Sequence, residues 1–339
     1  MMVIRPVALT DLNDIVVLAS QTGTGLTTLP NNPAHLEEKI RQSLRAFDKT
    51  TFPPLDETYL FVLEDTSNSK VVGTSGIVAA VGTTKPFYTY KINQEVHFSE
   101  TTNVYKDHQF LTLTNDFTGD AEICTLFLSP EHRGGGNGQL LSKSRFLFMA
   151  DHHERFGQNV VAEMRGQSDD QGHSPLWESL GRHFFDMDFA EADKENGQGN
   201  SQFIAELIPH HPIYINLLSK EAQDILGMVH PDTRPAEQML IAEGFRYTGY
   251  IDIFDGGPTI ESPVSNVKTV RESLLYPIKT GTLEGKEIRK AMLSNRQLKN
   301  YRACLAQVAV DDEYVVLSNE MAINLQVSEG DTIRVKFAD

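Results

Sequence analysis

The sequence has little that would favour an oxidising or membrane setting. Only two cysteines, Cys124 and Cys304, occur among 339 residues, and both lie in apolar, strand-like runs far apart. We therefore expect no disulfide framework, and a reducing cytoplasm is the simplest location. No apolar run approaches the roughly 18 residues of a membrane span. The first residues, MMVIRPVALTDL, lack the basic and apolar segments of a secretory signal, so none is expected.

Positive charge is also scarce. The chain has 30 lysine and arginine residues against 46 aspartate and glutamate residues, a formal net charge of −16. Binding to nucleic acid needs clustered basic side chains, so we expect no nucleic-acid partner, and we expect no membrane partner either. A strong negative charge favours encounter with a cationic substrate, although plain solubility is the more common reason for such a charge.

Apolar patterns predict a mixture of strands and helices. The expected strands are 3–9, a hairpin of 59–65 and 70–82, 108–115, 121–129, 159–166, 201–208 and 250–258; the expected helices begin at 10, 35, 138, 174, 221 and 235, and a glycine- and threonine-rich loop is expected at 22–30. Strand signals recur closely after Pro263. We therefore predict an α+β, or mixed α/β, fold with a main domain over 1–262 and a small β-rich subdomain over 263–339.

A cluster of glycines separates a strand-like run from an amphipathic, helix-like run in LFLSPEHRGGGNGQLLSKSRFL, residues 126–147. Glycines in this position let bare backbone amides approach an anion. A P-loop would need Lys-Ser or Lys-Thr, but the chain continues Gly138-Gln139-Leu140, and a dinucleotide fingerprint starting at Gly134 would need glycine at 139. The pattern Arg-x-x-Gly-x-Gly is satisfied from Arg133 to Gly138.

That pattern, placed after the strand CTLFLS and before a long helix, resembles motif A of the GNAT acyl-CoA N-acyltransferases. In that superfamily the loop and the helix start hold the pyrophosphate of coenzyme A, and the core is a mixed sheet flanked by helices. Successive backbone amides and the helix dipole both favour an anion at the glycine loop and the start of the helix. The resemblance therefore implies a GNAT-like acyltransferase core.

Longer stretches resemble one family within this superfamily, the arginine N-succinyltransferases. They are IRPVALTDL, AEICTLFLSPEHRGGGNGQLLSKSRFLFMA, VVAEMRGQSDDQGHSPLWESLG, PHHPIYINLLSKEAQDILGMVHP and GFRYTGYIDIFDGGPT, and together they reach from the N-terminus to about residue 265. The resemblance implies transfer of succinyl from succinyl-CoA to the α-amino group of L-arginine. The product is N2-succinyl-L-arginine, in the first step of arginine degradation by the succinyltransferase pathway. Succinyl-CoA is then a co-substrate, and neither a resident cofactor nor a metal is expected.

The resemblance also implies roles for individual residues. Arg133, Gly136 and Gly138 would hold the coenzyme, and the contact with succinyl-CoA in the preceding strand falls on Leu126. The family's proton donor to the departing thiolate lies in a Val-His-Pro segment, which here is His230. Histidine suits this task because its ordinary pKa of about 6.5 lets it carry a proton near neutral pH.

Other roles stay open in the sequence. Glu122 and Glu163 are candidates to accept the amine proton, although a structural ion pair, such as Glu163 with Arg165, explains these residues equally well or better. Asp252 and Asp255 are candidates to bind the arginine guanidinium, and Arg165 is a candidate to bind the succinyl carboxylate. Cys124 could carry the acyl group, but a cysteine among Ile, Leu and Phe is usually inert core.

Alternative functions follow from the same residues. The acceptor could be ornithine, a polyamine or a protein N-terminus instead of arginine. A catalytically silent module that binds acyl-CoA is a different class of function. Assembly with copies of the chain, or with a related subunit, is also left open.

Overall fold

The computed structural model describes residues 1–22, 28–50, 52–169, 172–197, 202–284, 286–311 and 313–338. Most of the loop predicted at 22–30 lies outside them. No helix in this described part is both long and apolar enough to cross a bilayer.

One large mixed sheet organises the described residues. Its strands are β1 (Met2–Pro6), β2 (Thr58–Asp65), β3 (Lys70–Val78), β4 (Thr89–Ser99), β5 (Val104–Thr114), β6 (Ala121–Leu128), β7 (Asn159–Glu163), β8 (Ile213–Tyr214), β9 (Arg246–Ile251), β10 (Pro258–Pro263), β11 (Leu274–Thr280), β12 (Ile288–Ser294), β13 (Ala303–Val310), β14 (Val315–Leu317) and β15 (Thr332–Phe337). Their order is β12-β15-β11-β14-β13-β1-β2-β3-β6-β7-β10-β9-β4-β5-β8. The pairs β6–β7 and β11–β14 are parallel, whereas the hairpin β2–β3 is antiparallel as predicted.

Helices cover both faces of the sheet. They are α1 (Leu12–Ser20), α2 (Pro33–Asp48), α3 (Asn137–Asp151), α4 (Arg182–Phe185), α5 (Phe189–Gly197), α6 (Gln202–Leu207), α7 (Lys220–Ile225), α8 (Arg234–Ala242), α9 (Lys268–Glu272) and α10 (Asn319–Leu325). Helices α1 and α2 pack on one face, and α3 packs on the other against the main aromatic and aliphatic core. The predicted mixed α/β architecture is therefore confirmed.

The helix after the glycines differs from the predicted amphipathic run. Along α3 the buried side chains are not confined to one stripe, because every residue from Ser144 to Met149 is buried. The cause is that α3 contacts β3 and β6 of the sheet as well as α8, α9 and the C-terminal strands β12 and β13. A helix enclosed in this way needs no polar face.

Two predicted strands are wrong. Residues 201–208 are predicted as a strand, but 202–207 form α6. Ile204 in the helix and Ile208 just after it are four residues apart, and both are buried. The strand expected over 250–258 ends at Ile251, where Asp252 turns the chain by accepting the amides of Phe254 and Asp255 at 2.7 and 2.8 Å.

The C-terminal strands continue the same sheet instead of forming a separate one. Strand β13 pairs with β1 through Val3–Cys304 and Ile4–Ala303. The division at residue 262/263 stays a prediction.

Candidate active site

Two parallel strands separate next to the glycine loop. Strands β6 and β7 are paired at Ala121–Val160 and Glu122–Val161, and no further pair of the described residues continues this ladder. Strand β6 nevertheless runs on to Leu128. The second half of β6 therefore has no β7 partner among the described residues; the gap between the two strands is called the cleft, and backbone groups along such a strand edge can pair with an extended ligand.

A bulge shapes β6 at the opening of this cleft. The pairing of β6 with β3 shifts between Thr74 and Gly76, and Thr125 has φ of +54°. A β-branched residue adopts this left-handed conformation only when its surroundings hold it there. The amide of Thr125 donates to Thr28 Oγ1 at 3.2 Å, and its carbonyl accepts from Thr74 Oγ1 at 2.9 Å. These bonds fix the direction of the next peptide group, which belongs to Leu126.

The glycine loop follows β6 and starts α3. Gly134, Gly135 and Gly136 all have positive φ, of 111°, 60° and 92°. Among the described residues, the amides of these three glycines and of Gly138 find no hydrogen-bond acceptor. Several unsatisfied amides at the start of a helix of 15 residues form an anion-binding site.

The predicted coenzyme contacts lie together at this loop. Arg133 is exposed, and no acceptor for its guanidinium occurs in the part of the chain that the structure describes. Gly136 needs to be glycine for the fold, because a Cβ there would lie 2.7 Å from Leu305 Cδ1 in a left-handed residue. Gly138 differs, since a Cβ there would meet nothing within 4 Å. The absence of a side chain at Gly138 is therefore explained by a ligand better than by the fold.

His230 lies beside the strand that separates from β6. Its amide donates to the carbonyl of Arg165 at 2.8 Å, just after the end of β7. Its Nδ1 accepts the amide of Asp232 at 3.2 Å. That bond places the proton of the neutral imidazole on Nε2. The side chain is 15% exposed, so the ring is partly sheltered from water.

Carboxylates gather on the face of the sheet opposite α3. The core against α3 takes Ala121 and Ala162, so Glu122 and Glu163 point to the other face. Burial raises the pKa of Glu163 well above its ordinary value, and the charges of Asp252, Glu122 and Asp255 raise it further. The four candidate carboxylates of the sequence analysis therefore interact with one another, and together they make this region acidic.

The two glutamates differ in the charges that act on them. Burial raises the pKa of Glu122 to about 7, and the positive charge of Lys39 opposes the rise. The pKa of Glu163 is also raised, but no cation is among the groups that act on it. A base must be deprotonated near neutral pH, which favours Glu122 for that role. No ion pair of Glu163 with Arg165, the alternative considered for that residue, occurs among the described residues.

The two aspartates also separate into different roles. Asp255 is buried, and its carboxyl oxygens accept the amides of Gly166 at 2.6 Å and Gly257 at 2.8 Å. It is therefore committed to joining the end of β7 to the turn after β9. Asp252 uses Oδ1 for two amides of its own turn, and its carboxyl group also forms a side-chain hydrogen bond with that of Asp255. Oδ2 accepts no amide of the described residues, which leaves it as the oxygen that faces a guanidinium.

Cys124 is an inert core thiol. Burial and the nearby charge of Glu122 raise its pKa to about 11, and a thiol in that range supplies almost no thiolate near neutral pH. An acyl-cysteine intermediate at this position is therefore disfavoured. The carbonyl of Cys124 instead accepts from Arg145 Nη1 at 3.3 Å, which anchors β6 to α3.

Sequence reasoning missed one charged residue at the cleft. Lys39 of α2 donates from Nζ to Thr125 Oγ1 at 3.1 Å and to the carbonyl of Thr28. It is separated from Thr125 by 86 residues, so no local pattern marks the contact.

Comparisons with known proteins agree with this geometry. A family model described as arginine N-succinyltransferase beta subunit matches residues 2–269, and the model of its C-terminal domain matches 275–336. Arginine N-succinyltransferase of Yersinia pestis (strain Pestoides F) is 46% identical, with 99% of this chain and 97% of that protein covered. The enzyme of the same name from Escherichia coli (strain 55989 / EAEC) is 45% identical with the same coverage.

A solved structure extends the comparison to three dimensions. The arginine/ornithine succinyltransferase subunit AI from Pseudomonas aeruginosa superposes with a TM-score of 0.91 and 36% sequence identity, over 99% of this chain and 98% of that one. Because the family model and these relatives span nearly the whole sequence, the chain belongs to the arginine N-succinyltransferase family.

Proposed function

We propose that the chain transfers the succinyl group of succinyl-CoA to the α-amino group of L-arginine, which starts arginine degradation by the succinyltransferase pathway. The observation that carries the proposal is the near full-length identity of 45–46% with enzymes named for this reaction. The site adds physical support, because an anion-binding loop and an acidic face adjoin one cleft. The loop suits a diphosphate, and the acidic face suits a cationic acceptor.

The loop would hold the acyl donor. The bare amides of Gly136 and Gly138 bind the pyrophosphate of coenzyme A, with Arg133 as a further cation. The pantetheine arm then follows the unpaired part of β6, and the thioester lies at Leu126. Fixing the donor in this way makes the attack of a bound amine effectively intramolecular, which alone can supply much of the rate.

Carboxylates would hold and activate the acceptor. Asp252 Oδ2 receives the guanidinium of arginine, and Glu122 accepts a proton from the α-ammonium group. The neutral amine attacks the thioester carbonyl, a C–N bond forms, and the C–S bond of the tetrahedral intermediate then breaks. His230, protonated to the imidazolium, donates its Nε2 proton to the departing thiolate, so CoA leaves as a thiol, and the excess proton on the new amide nitrogen returns to the imidazole. No resident cofactor takes part in this sequence of steps.

The location and assembly of the protein are also proposals. Two buried free cysteines suit a reducing cytoplasm. The names of the family model and of the Pseudomonas aeruginosa relative both contain the word subunit, which supports assembly with copies of the chain or with a related chain.

The acceptor is tested with a panel of amines. The purified protein is supplied with succinyl-CoA and L-arginine, L-ornithine, a polyamine or a peptide with a free N-terminus, and thiol release is followed. We expect the highest kcat/KM with arginine, because its planar guanidinium forms a bidentate pair with a carboxylate. Equal values for ornithine would broaden the acceptor to both amino acids, as the name of the relative from Pseudomonas aeruginosa suggests. Binding of CoA without any succinyl transfer would instead support a silent module.

The catalytic role of His230 is tested in the same assay. We expect His230→Ala to lower kcat about 100-fold or more while the affinity for CoA changes little, since general acid catalysis contributes about 10² to 10⁴. His211→Ala is the control, because His211 is exposed on a distant loop. An unchanged turnover number in His230→Ala would remove this residue from the mechanism.

A further inference from the structure

A half-buried lysine without a paired carboxylate among the described residues lies at the donor side of the cleft. Lys39 Nζ uses two of its three N–H donors, on the carbonyl of Thr28 and on Thr125 Oγ1. No carboxylate of the described residues lies within ion-pair distance of it. The nearest hydrogen-bonded groups are neutral, so the positive charge is compensated only at longer range.

Such a charge is costly unless something neutralises it. Burial lowers the pKa of Lys39, while the fields of Cys124 and Glu122 raise it. An ammonium group removed from water is normally retained in a protein only when an anion or a full set of acceptors meets it. This chain has 46 acidic residues, yet none forms an ion pair with Lys39 in the described part. The half-buried ammonium group is therefore suited to an anionic ligand.

The position of Lys39 indicates which anion would reach it. Lys39 bonds the side chain of Thr125, and the next residue, Leu126, is the expected contact of the thioester. Neighbouring residues are about 3.8 Å apart, and the three C–C bonds of a succinyl group extend about 4 Å from the thioester carbon to the far carboxylate. A succinyl chain that turns toward the α2 side is therefore long enough to pass from Leu126 to the neighbouring residue, Thr125, whose Oγ1 accepts from Lys39 Nζ at 3.1 Å.

We propose that Lys39 binds the terminal carboxylate of the succinyl group and thereby selects a dicarboxylic acyl-CoA over an unbranched monocarboxylic one. The inference rests on the proposed function, which places the thioester at Leu126. A carboxylate bound at Lys39 also gives an order to the charged groups along the cleft. Lys39 interacts with Glu122, Glu122 with Glu163, and Glu163 with Asp252. The donor carboxylate lies at the Lys39 end, the acceptor guanidinium at the Asp252 end, and the base between them.

Arg165 is the competing cation. Its Nη2 donates to Ser168 Oγ at 3.3 Å, and its Nε is buried without a partner among the described residues. Its backbone carbonyl, however, accepts the amide of His230 after the end of β7, on the strand across the cleft from the bulge. Lys39 contacts the bulge itself, so its ammonium group is the cation directly beside the thioester position.

The experiment compares two donors of equal chain length. Succinyl-CoA and butyryl-CoA both carry a four-carbon acyl group, but only succinyl ends in a carboxylate. For the wild type, Lys39→Met, Lys39→Arg and Arg165→Met, kcat/KM is measured with each donor at saturating arginine. Affinity for free CoA and the thermal midpoint are measured for every variant. Arg41→Met is the matched control on the same helix, where Arg41 forms an exposed pair with Glu37.

The donor selectivity distinguishes recognition from a structural role. We expect Lys39→Met to lower kcat/KM for succinyl-CoA about 100-fold and to leave butyryl-CoA and CoA affinity within about threefold, while Lys39→Arg recovers part of the loss. An equal loss with both donors would show that Lys39 only supports the bulge, and a donor-selective loss in Arg165→Met alone would assign the carboxylate to Arg165; either result overturns the inference. A wild type that transfers no succinyl would refute the proposed function instead.

Discussion

At the scale of single residues, the environment assigns different chemistry to two identical side chains. Glu122 and Glu163 lie on neighbouring parallel strands and point to the same face, yet only Glu122 is close enough to a cation for its pKa to be held to about 7. Glu163 is surrounded by other carboxylates, and its pKa is raised well above the ordinary value. The two glutamates therefore differ in surroundings: a cation opposes the rise in the pKa of Glu122, whereas only carboxylates act on Glu163.

This difference predicts a pH dependence. A base with a pKa of about 7 is active when deprotonated, so kcat/KM should rise as the pH passes upward through about 7. We expect Glu122→Gln to lower kcat/KM about 10² to 10⁴-fold and to abolish that rise, because the amide cannot accept the proton. The matched variant Glu163→Gln should keep the rise. A profile of Glu122→Gln that still climbs through pH 7 would exclude Glu122 as the base.

Local and distant contacts explain which site residues the sequence could predict. Arg133, Gly136 and Gly138 are contiguous, so one short pattern contains both the turn and the anion site. Lys39 and Thr125 are 86 residues apart. Thr125 has a left-handed backbone in the β6 bulge, and side chains from three other segments, those of Thr28, Thr74 and Lys39, bond its polar atoms. A pattern within one segment cannot encode such an arrangement, so the cation beside the thioester position was missed.

At the scale of elements, the loop before α3 combines two reasons for glycine. The left-handed backbone and the nearby Leu305 side chain require glycine at 136, whereas Gly138 lies in the first turn of α3 with open space beside it. Glycine inside a helix is about 1 kcal/mol less favourable than alanine, so the fold alone would favour alanine at 138. A ligand that approaches the amides closely explains why no side chain is present.

The two glycines should therefore respond differently to alanine. We expect Gly138→Ala to keep or slightly raise the thermal midpoint but to increase the KM for succinyl-CoA about tenfold, because the new methyl group obstructs the pyrophosphate. Gly136→Ala should lower the thermal midpoint as well as weaken binding, since its φ of +92° is strained for alanine. Thermal melts and CoA titrations of both variants check this. Wild-type affinity in Gly138→Ala would place the pyrophosphate elsewhere.

Elements were predicted best where the apolar period was unambiguous. The β2–β3 hairpin and the order of β6, glycine loop and α3 follow from alternating residues and breakers within one stretch. Residues 201–208 were assigned to a strand because the apolar run is short, and only the core around Trp177 decides that Ile204 and Ile208, four residues apart, are both buried. The enclosed character of α3 also depends on distant strands. In both cases the structure depends on packing against distant residues, which the sequence of the segment alone does not specify.

At the scale of the whole molecule, α3 joins the coenzyme loop to the C-terminal strands. At its far end Asp151 is 1% exposed, and its Oδ1 accepts from Arg296 and from Arg334, each at 2.9 Å. In its middle, the carbonyl of Ser144 accepts from the hydroxyl of the buried Tyr301 at 2.7 Å. The helix that would bind the diphosphate is thus held in place by the C-terminal part of the chain.

Removing this attachment should cost more stability than removing a surface pair. In Asp151→Ala the guanidinium of Arg334, which is only 12% exposed, loses its carboxylate, so we expect a loss of about 3 kcal/mol in the free energy of unfolding. Asp48→Ala is the matched control, because Asp48 also pairs with a cation of the C-terminal part, Lys299, but is 68% exposed; it should cost less than about 1 kcal/mol. Urea unfolding measures both variants. Because α3 starts at the coenzyme loop, Asp151→Ala should also weaken CoA binding, and a stable variant with unchanged affinity would show that the C-terminal part does not support the site.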